Sequence, residues 1–288
     1  MTIAVTGGHG ELGRAVVTAL TARTDEPVVA TVRDPSLPAP PGGVEVRPGD
    51  FDDPATLERS LAGVATLLVN ATFFGAEPTR RGPRVSAAID AAARAGVERI
   101  VLTTWADLDH ATVPLVQDYV GLEARLRAAG PAWTVLRTST GLADALARDV
   151  VWARRAGELV APADGARATP AALSDLAEAA AVVLASDGHD GVVHELTGPD
   201  AVTWDDLAGL AGTPFRAVPE DAYREIAAGS GFPPAAVEQL IDLYRDLRGG
   251  WSSAPTPVLG QLLGRAPVPG VEAVRRRVTR FPGATDAG

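Results

Sequence analysis

Apolar residues in this chain come in short unbroken runs, which alternate with stretches that carry them at three- and four-residue spacing. The runs at 2–6, 28–32, 44–47, 65–70, 99–103 and 132–137 have the length of buried strands. The spaced stretches at 11–23, 54–62, 81–95, 114–129 and 174–186 have the period of helices with one buried face. Strands this apolar need cover on both faces, and alternating helices supply it. The pattern therefore predicts right-handed βαβ units in a doubly wound parallel sheet of the α/β class. Past residue 138 the regularity fades, with strand patterns only at 158–160 and 193–196 and helical ones near 203–211, 219–229 and 233–247. Proline and glycine are dense from 249 to 270. The expected organisation is a sheet domain over 1–150 and a smaller region over 151–288, packed on it and not independent.

The first predicted strand leads into "TGGHGELG" at 6–13, and a helical pattern follows with Leu12, Val16, Ala19 and Leu20 on one face. Glycine-rich octets are common, but strand, glycine turn and helix together form the setting in which the spacing has a physical meaning. Gly7 permits a tight turn, Gly10 lets backbone approach a pyrophosphate, and Gly13 lets the helix lie close to the sheet. N–H groups at the helix start then face the phosphates with the helix dipole behind them. The residues expected to bind a dinucleotide here are Thr6, Gly7, His9, Gly10, Glu11, Leu12 and Gly13.

Cofactor choice falls at the end of the second strand, where "VVATVRDP" places Arg33 and then Asp34. An arginine pairs with the 2′-phosphate of NADP, whereas an acid grips the ribose diol of NAD. The order favours NADP(H) over NAD(H), with Asp34 keeping NAD as the minority choice. After the third strand, "GDFDDP" offers Asp50 and Phe51 to the adenine, and Asp52 or Asp53 as the cap of a helix that starts at Pro54.

Composition removes several other chemistries. Cysteine is absent, so there is no disulfide and no thiolate nucleophile. All 26 basic residues are arginine, which excludes a Schiff-base lysine and a tyrosine–lysine catalytic pair. His9, His110, His189 and His194 are scattered, and "DLDH" at 107–110 lacks a partner set, so no metal is expected. No serine–histidine–acid set accompanies a nucleophile elbow. A formal charge of −10 argues against nucleic acid, and Arg275, Arg276, Arg277 and Arg280 suit a solvated C-terminal helix. No run is long enough to cross a membrane, and "MTIAVTGG" enters a strand without a charged leader. A cytoplasmic setting is expected, as a monomer or homodimer.

In order along the chain stand "AVTGGHGELG", "TVRDP", "GDFDDPATL", "AAIDAAARAGVERIVLTT", "LEARLRAAGPAWTVLR" and "HELTGPDAVTWDDLA". With these segments the chain resembles the NmrA-like branch of the atypical short-chain dehydrogenase/reductase family, which includes quinone-reductase-like proteins. The resemblance extends to about residue 280. It implies a Rossmann-type domain, a preference for NADP(H), and a small C-terminal region that closes a substrate cleft. The family also contains members that bind cofactor as redox sensors and catalyse nothing.

The chain departs from the family at two points. The turn usually reads alanine–threonine where Gly8 and His9 stand, so His9 is either a phosphate or ribose contact or a plain loop residue. Many short-chain reductases use a tyrosine-x-x-x-lysine pair, but Tyr119 is followed four residues on by Glu123, which cannot lower a phenol pKa. Tyr119 is then either an unactivated proton donor or a residue that lines a cleft by shape. By the same resemblance, Thr103 and Thr104 end the fifth strand where a hydroxyl orients a substrate carbonyl, Thr104 as a candidate catalytic residue. Asn70, Ala71 and Thr72 are expected beside the nicotinamide-side ribose, and Thr138 with Ser139 at the carboxamide end.

Phe73, Phe74 and Trp105 lie just beyond predicted strand ends and Trp152 lies farther on, past the sixth strand; together they suggest an aromatic rim that suits flat apolar substrates such as quinones, aromatic ketones or enones. Three functions stay open on sequence alone. One is an NADPH-dependent oxidoreductase that transfers a hydride to a small aromatic carbonyl, quinone or enone. Another is a non-catalytic NADP(H) sensor. The third is a non-redox isomerase, cyclase or dehydratase on the same fold.

Overall fold

A computed structural model describes residues 1–71, 80–230 and 233–281. In chain order the first elements are β1 (Ile3–Thr6), α1 (Glu11–Thr21), β2 (Val28–Val32), β3 (Glu45–Pro48), α2 (Pro54–Ser60), β4 (Thr66–Val69), α3 (Arg81–Arg94), β5 (Arg99–Trp105), α4 (Asp118–Arg127) and β6 (Ala132–Thr138). There follow α5 (Thr140–Ala156), β7 (Leu159–Ala161), β8 (Arg167–Ala168), α6 (Leu173–Ala185), β9 (Val192–Leu196), β10 (Val202–Thr203), α7 (Trp204–Ala211), β11 (Phe215–Ala217), α8 (Glu220–Gly229), α9 (Pro234–Arg248), α10 (Val258–Leu263) and α11 (Gly270–Val278).

The chain divides into two compact units that interleave in sequence. The first comprises 1–105, 118–138 and 173–195, and the second 106–117, 139–172 and 196–288. The boundary expected at residue 150 does not match this division, because α6 and most of β9 return to the first unit.

In the first unit a seven-stranded sheet runs β3-β2-β1-β4-β5-β6-β9. The first six strands pair in parallel, with Val5 opposite Ala30 and Leu68, and Leu102 opposite Val69 and Val135. This is the doubly wound Rossmann-like sheet that the alternating pattern predicts. β1, β2, β4 and β5 are buried along their whole length, so they need helices on both sides. Right-handed crossovers run one way from β1 to β2 and the other way from β3 back to β4, β5 and β6. They put α1 on one face and α2, α3 and α4 on the other. α1 buries Gly13, Val16, Val17 and Leu20, one helical face, and packs with α6. Each such buried leucine or valine contributes about 1.5–3 kcal/mol.

In the second unit α5 packs with α7 and α11, and two small sheets pair β8 with β10 and β7 with β11. α7 opens with a capping box in which Thr203 accepts from Asp206 N and Asp206 accepts from Thr203 N. Asp149 on α5 is buried, accepting from Tyr244 Oη at 3.0 and 2.9 Å, Trp204 Nε1 at 3.2 Å and Arg148 Nη2 at 3.1 Å. The sequence pattern past 138 missed α5, whose alternating alanine, arginine and acid residues hide the apolar stripe of Leu142, Leu146 and Val150.

Candidate cofactor site

The glycine turn joins β1 to α1 where strand order reverses, β1 having β2 on one side and β4 on the other. Gly7 takes φ +66°, a left-handed conformation that favours glycine, and Gly10 N donates to Gly7 O at 2.8 Å. A Cβ at Gly13 would lie 2.2 Å from Gly7 O, so the helix can start against the turn only with glycine there. At Gly8 a Cβ would come within 2.9 Å of Ala30 Cβ, while Gly8 N donates to Thr31 O at 3.0 Å, so the turn rests directly on β2. A Cβ at Gly10, by contrast, would meet only Gly7 O, at 3.2 Å. Gly10 is itself exposed, so a ligand can reach the turn there. The first intrahelical bond runs from Arg14 N to Gly10 O at 2.9 Å, and the Leu12 and Gly13 amides precede it at the positive end of the dipole. This cradle fits a pyrophosphate. Glu11 and Leu12 form the first turn of the helix.

Threonines pin the neighbouring strand ends. Thr6 Oγ1 accepts from Asn70 N at 2.9 Å, and Thr103 Oγ1 accepts from Ala71 N at 2.9 Å. Thr103 in turn donates to Asn70 Oδ1 at 3.4 Å. Thr6, Gly7, Asn70, Ala71 and Thr103 thus come together at the carboxyl ends of β1, β4 and β5. Thr138 donates to Thr104 O at 3.2 Å, so its hydroxyl serves the β5–β6 junction. In the second unit Ser139 Oγ accepts from Ala171 N at 3.1 Å. Thr72, Phe73 and Phe74 lie outside the described residues.

At the end of β2, Arg33 is exposed and makes no hydrogen bond among the described residues. Asp34 is committed to its own turn, accepting from Ser36 Oγ at 2.6 Å and Ser36 N at 2.9 Å, which holds its carboxyl below the usual value. His9 is half-buried near Asp34, and its Nε2 is buried without a hydrogen-bond partner among the described residues. Asp50 accepts from Asp52 N at 3.0 Å, with Phe51 half-buried beside it. Asp53 caps α2 by accepting from Thr56 N at 3.2 Å, which leaves Asp52 for other partners.

Those partners escaped the sequence reading. Arg84 Nε donates to Asp52 Oδ1 at 2.8 Å and Arg80 Nη2 to the same oxygen at 3.2 Å. The visible signal was "RRGPR" at 80–84, whose first and last arginines share a helix face.

The two candidate catalytic residues need correction. Thr104 donates its hydroxyl to Glu123 Oε1 at 3.0 Å in the buried interior, so it does not present a hydroxyl to a carbonyl. Glu123 is held by Arg137 through Nε to Oε1 at 2.9 Å and Nη2 to Oε2 at 3.0 Å, and by Arg127 at 3.0 Å. Burial raises its pKa, but these arginines and Thr104 together carry it below the usual value. Tyr119 is buried at 5% exposure, and the carboxylate that acts on it is Asp118, not Glu123. Arg81 lies over its ring, with Cζ 4.3 Å from the centroid, and donates to Asp118 through Nε at 2.9 Å. Burial dominates and pushes the phenol up to about 12, while Arg81 draws it partly back.

Of the aromatic rim, Trp105 is buried at the last position of β5, and Trp152 lies on α5 in the other unit with Arg148 Cζ 5.0 Å from its ring centroid. Two scattered histidines do meet: His189 Nδ1 lies 3.1 Å from His194 Nε2. Among the described residues no group of three or more histidines and carboxylates is placed to hold a metal. No helix among them is long and apolar enough to cross a membrane.

A sheet of this order, with a glycine turn at its reversal point and a helix start aimed outward, defines a dinucleotide-binding α/β protein. The chain belongs to the NAD(P)H-binding family, matched over residues 7–187, and within it to the NmrA-like, quinone-reductase-like atypical short-chain dehydrogenases/reductases. It is 30% identical to quinone oxidoreductase 2 of Escherichia coli over 91% of this chain and 93% of that one. It is 31% identical to (4-alkanoyl-5-oxo-2,5-dihydrofuran-3-yl)methyl phosphate reductase of Streptomyces griseus, again over 91% and 93%. The crystal structure of the NADPH-dependent quinone oxidoreductase of Escherichia coli complexed with NADPH superposes with a TM-score of 0.85 at 27% identity, over 95% of this chain and 99% of that one.

Proposed function

We propose that this protein is an NADPH-dependent oxidoreductase that reduces a small, flat, conjugated carbonyl compound such as a quinone or enone. The observation that carries the reading is the cradle at the glycine turn, where Gly13 is forced by a 2.2 Å approach to Gly7 O while Gly10 stays exposed. Two features support NADPH over NADH. Arg33 is exposed and makes no hydrogen bond among the described residues, whereas Asp34 is spent on Ser36. A quinone and an alkanoyl-dihydrofuranone carried on a methyl phosphate, the substrates in the relatives' names, share a flat ring with conjugated carbonyl groups, which supports the substrate class.

The chemistry taken from the cofactor is hydride delivery. The chain's own residues bind and orient. The α1 amides and glycine turn would hold the pyrophosphate, Arg33 would meet the 2′-phosphate, and Asp50 and Phe51 would flank the adenine. Asn70, Ala71 and Thr103 would set the ribose side, with Trp105 on the acceptor side. Tyr119 keeps its proton throughout the neutral range, so the proton that completes reduction of a quinone comes from water.

A second reading, a cofactor-binding redox sensor, draws support from the same two residues that lost a catalytic role. Thr104 is tied to Glu123, and Tyr119 is buried and unactivated. One experiment separates the two readings. NADPH and NADH binding are measured by fluorescence, and NADPH oxidation is followed at 340 nm, the ~340 nm band belonging to reduced nicotinamide, with benzoquinones, naphthoquinones and cyclic enones. Turnover is expected; tight binding with no oxidation of any acceptor would leave the sensor.

A further inference from the structure

One ion pair in the second unit runs from the interior to the surface, and the cofactor reading makes no use of it. Arg148 and Asp149 are consecutive on α5, and consecutive helical residues do not face each other. Even so, Arg148 Nη2 and Nε both donate to Asp149 Oδ1, at 3.1 and 3.3 Å. The carboxylate side chain is 4% exposed and the arginine 23%. Four residues on, Trp152 lies against the guanidinium, with Arg148 Cζ 5.0 Å from its ring centroid. The arginine is thus fixed on one edge by a carboxylate and on one face by an indole.

Asp149 does not depend on Arg148 alone. Tyr244 Oη donates to both of its oxygens, at 3.0 and 2.9 Å, and Trp204 Nε1 donates to Oδ2 at 3.2 Å. The arginine, for its part, has capacity left. Its N–H groups form a rigid planar fork, and Asp149 engages only the Nε and Nη2 edge. Arg148 Nη1 makes no hydrogen bond among the described residues. A guanidinium held in place before a ligand arrives loses little freedom on binding, and its fork matches an oxyanion with two donors.

We propose that Arg148 anchors a binding site in the second unit for a flat aromatic acid: the Nη1 and Nη2 end of the fork takes the carboxylate, sulfonate or phosphate group, and half-buried Trp152 gives apolar surface to the ring. An acid satisfies the donors that Asp149 leaves over, whereas an uncharged ligand does not. The site needs neither cofactor nor turnover, so it goes beyond the reductase reading and stands independently of it.

The probe is 2-naphthoate, with 2-naphthamide as its uncharged counterpart and inorganic phosphate as an acid without a ring. Calorimetric titration of the intact protein, without cofactor, should give a naphthoate dissociation constant of about 1 mM or tighter, and constants at least about tenfold weaker for naphthamide and phosphate. Added salt should weaken naphthoate binding. Arg148→Gln should weaken naphthoate by about tenfold or more through loss of the charge-assisted bonds, and leave NADPH affinity unchanged. Arg148→Lys keeps a cation beside Asp149, which protects the fold, but lacks the fork, and should weaken naphthoate by at least about threefold. Thermal midpoints show which variants are folded. No naphthoate binding at about 10 mM, equal constants for naphthoate and naphthamide or phosphate, or an unchanged naphthoate constant in either folded variant overturns the proposal. Loss of naphthoate binding in the folded variants upholds it whether or not any quinone is reduced.

Discussion

Replacing Gly13 by alanine puts the third glycine of the turn to a direct test. The added Cβ would lie 2.2 Å from Gly7 O, 2.9 Å from Gly7 C and 3.3 Å from Gly8 Cα. All three atoms are backbone, so no side chain can swing aside, and relief needs a shift of about 1 Å to restore ordinary contact. That shift would pull on Gly7, whose carbonyl also accepts from Gly10 N. Overpacking of this kind costs about 1–3 kcal/mol, and rigid backbone on both sides places it at the upper end. Alanine recovers about 0.8–1 kcal/mol of helix propensity. The expected net loss is about 1–2 kcal/mol, a fall of about 2–8 °C in the thermal midpoint at 2–4 °C per kcal/mol. Two controls fix the interpretation. Gly121, within α4, has nothing within 4 Å of an added Cβ, so Gly121→Ala should gain up to about 1 kcal/mol. At Gly10 the added Cβ meets only Gly7 O at 3.2 Å, so Gly10→Ala should keep most of its stability yet bind NADPH at least tenfold more weakly, or about 1.4 kcal/mol. Unfolding followed by far-ultraviolet circular dichroism without cofactor, and NADPH fluorescence titration, supply the readouts. A Gly13→Ala protein as stable as the wild type, with the same NADPH affinity, would refute the close approach.

Arg33→Ala should weaken NADPH by about tenfold to a hundredfold through loss of a charge-assisted pair worth about 1.5–3 kcal/mol, and NADH far less; equal weakening in both titrations would reduce Arg33 to a loop support. Tyr119→Phe should lower quinone turnover by less than about tenfold, below the usual contribution of a general acid, and a hundredfold fall at unchanged NADPH affinity would restore it as proton donor. Asp149→Ala strips Tyr244, Trp204 and Arg148 of their buried partner and should cost about 3–5 kcal/mol, so a urea midpoint near the wild type's would contradict that network's role. Burial lowers both His189 and His194 below the ordinary 6.5, so the unfolded chain binds protons first as pH falls. The stability they contribute is present above about 6.5 and lost below it, and His194→Gln should flatten the urea midpoint between pH 7 and 5, about the range where histidine titrates; an unchanged slope would count against the pair.

The sheet and the cofactor turn were legible because both are local. Strands with a continuous apolar run, helices with a four-residue stripe, and glycines at fixed offsets all act over a few neighbouring residues, and the first six strands fall within a residue or two of their expected bounds. Even Gly13 could be assigned its purpose before its contact was known, although that contact is with the turn backbone of Gly7 and Gly8. The fate of polar side chains was not legible in this way. Sequence put Thr104 at a strand end and Glu123 four residues from Tyr119, but sheet register turns Thr104 toward Glu123, and Arg137 on β6 claims that carboxylate. Asp118 and Arg81, from separate helices, then determine the environment of Tyr119. The arginine pair at Asp52 is likewise assembled from α3 and the β3–α2 turn, which are far apart in sequence. Backbone conformation follows from neighbours along the chain, so sequence alone determined it. Hydrogen-bond partners, burial and charge balance depend on what packing brings across from other elements, and only the tertiary structure decided them.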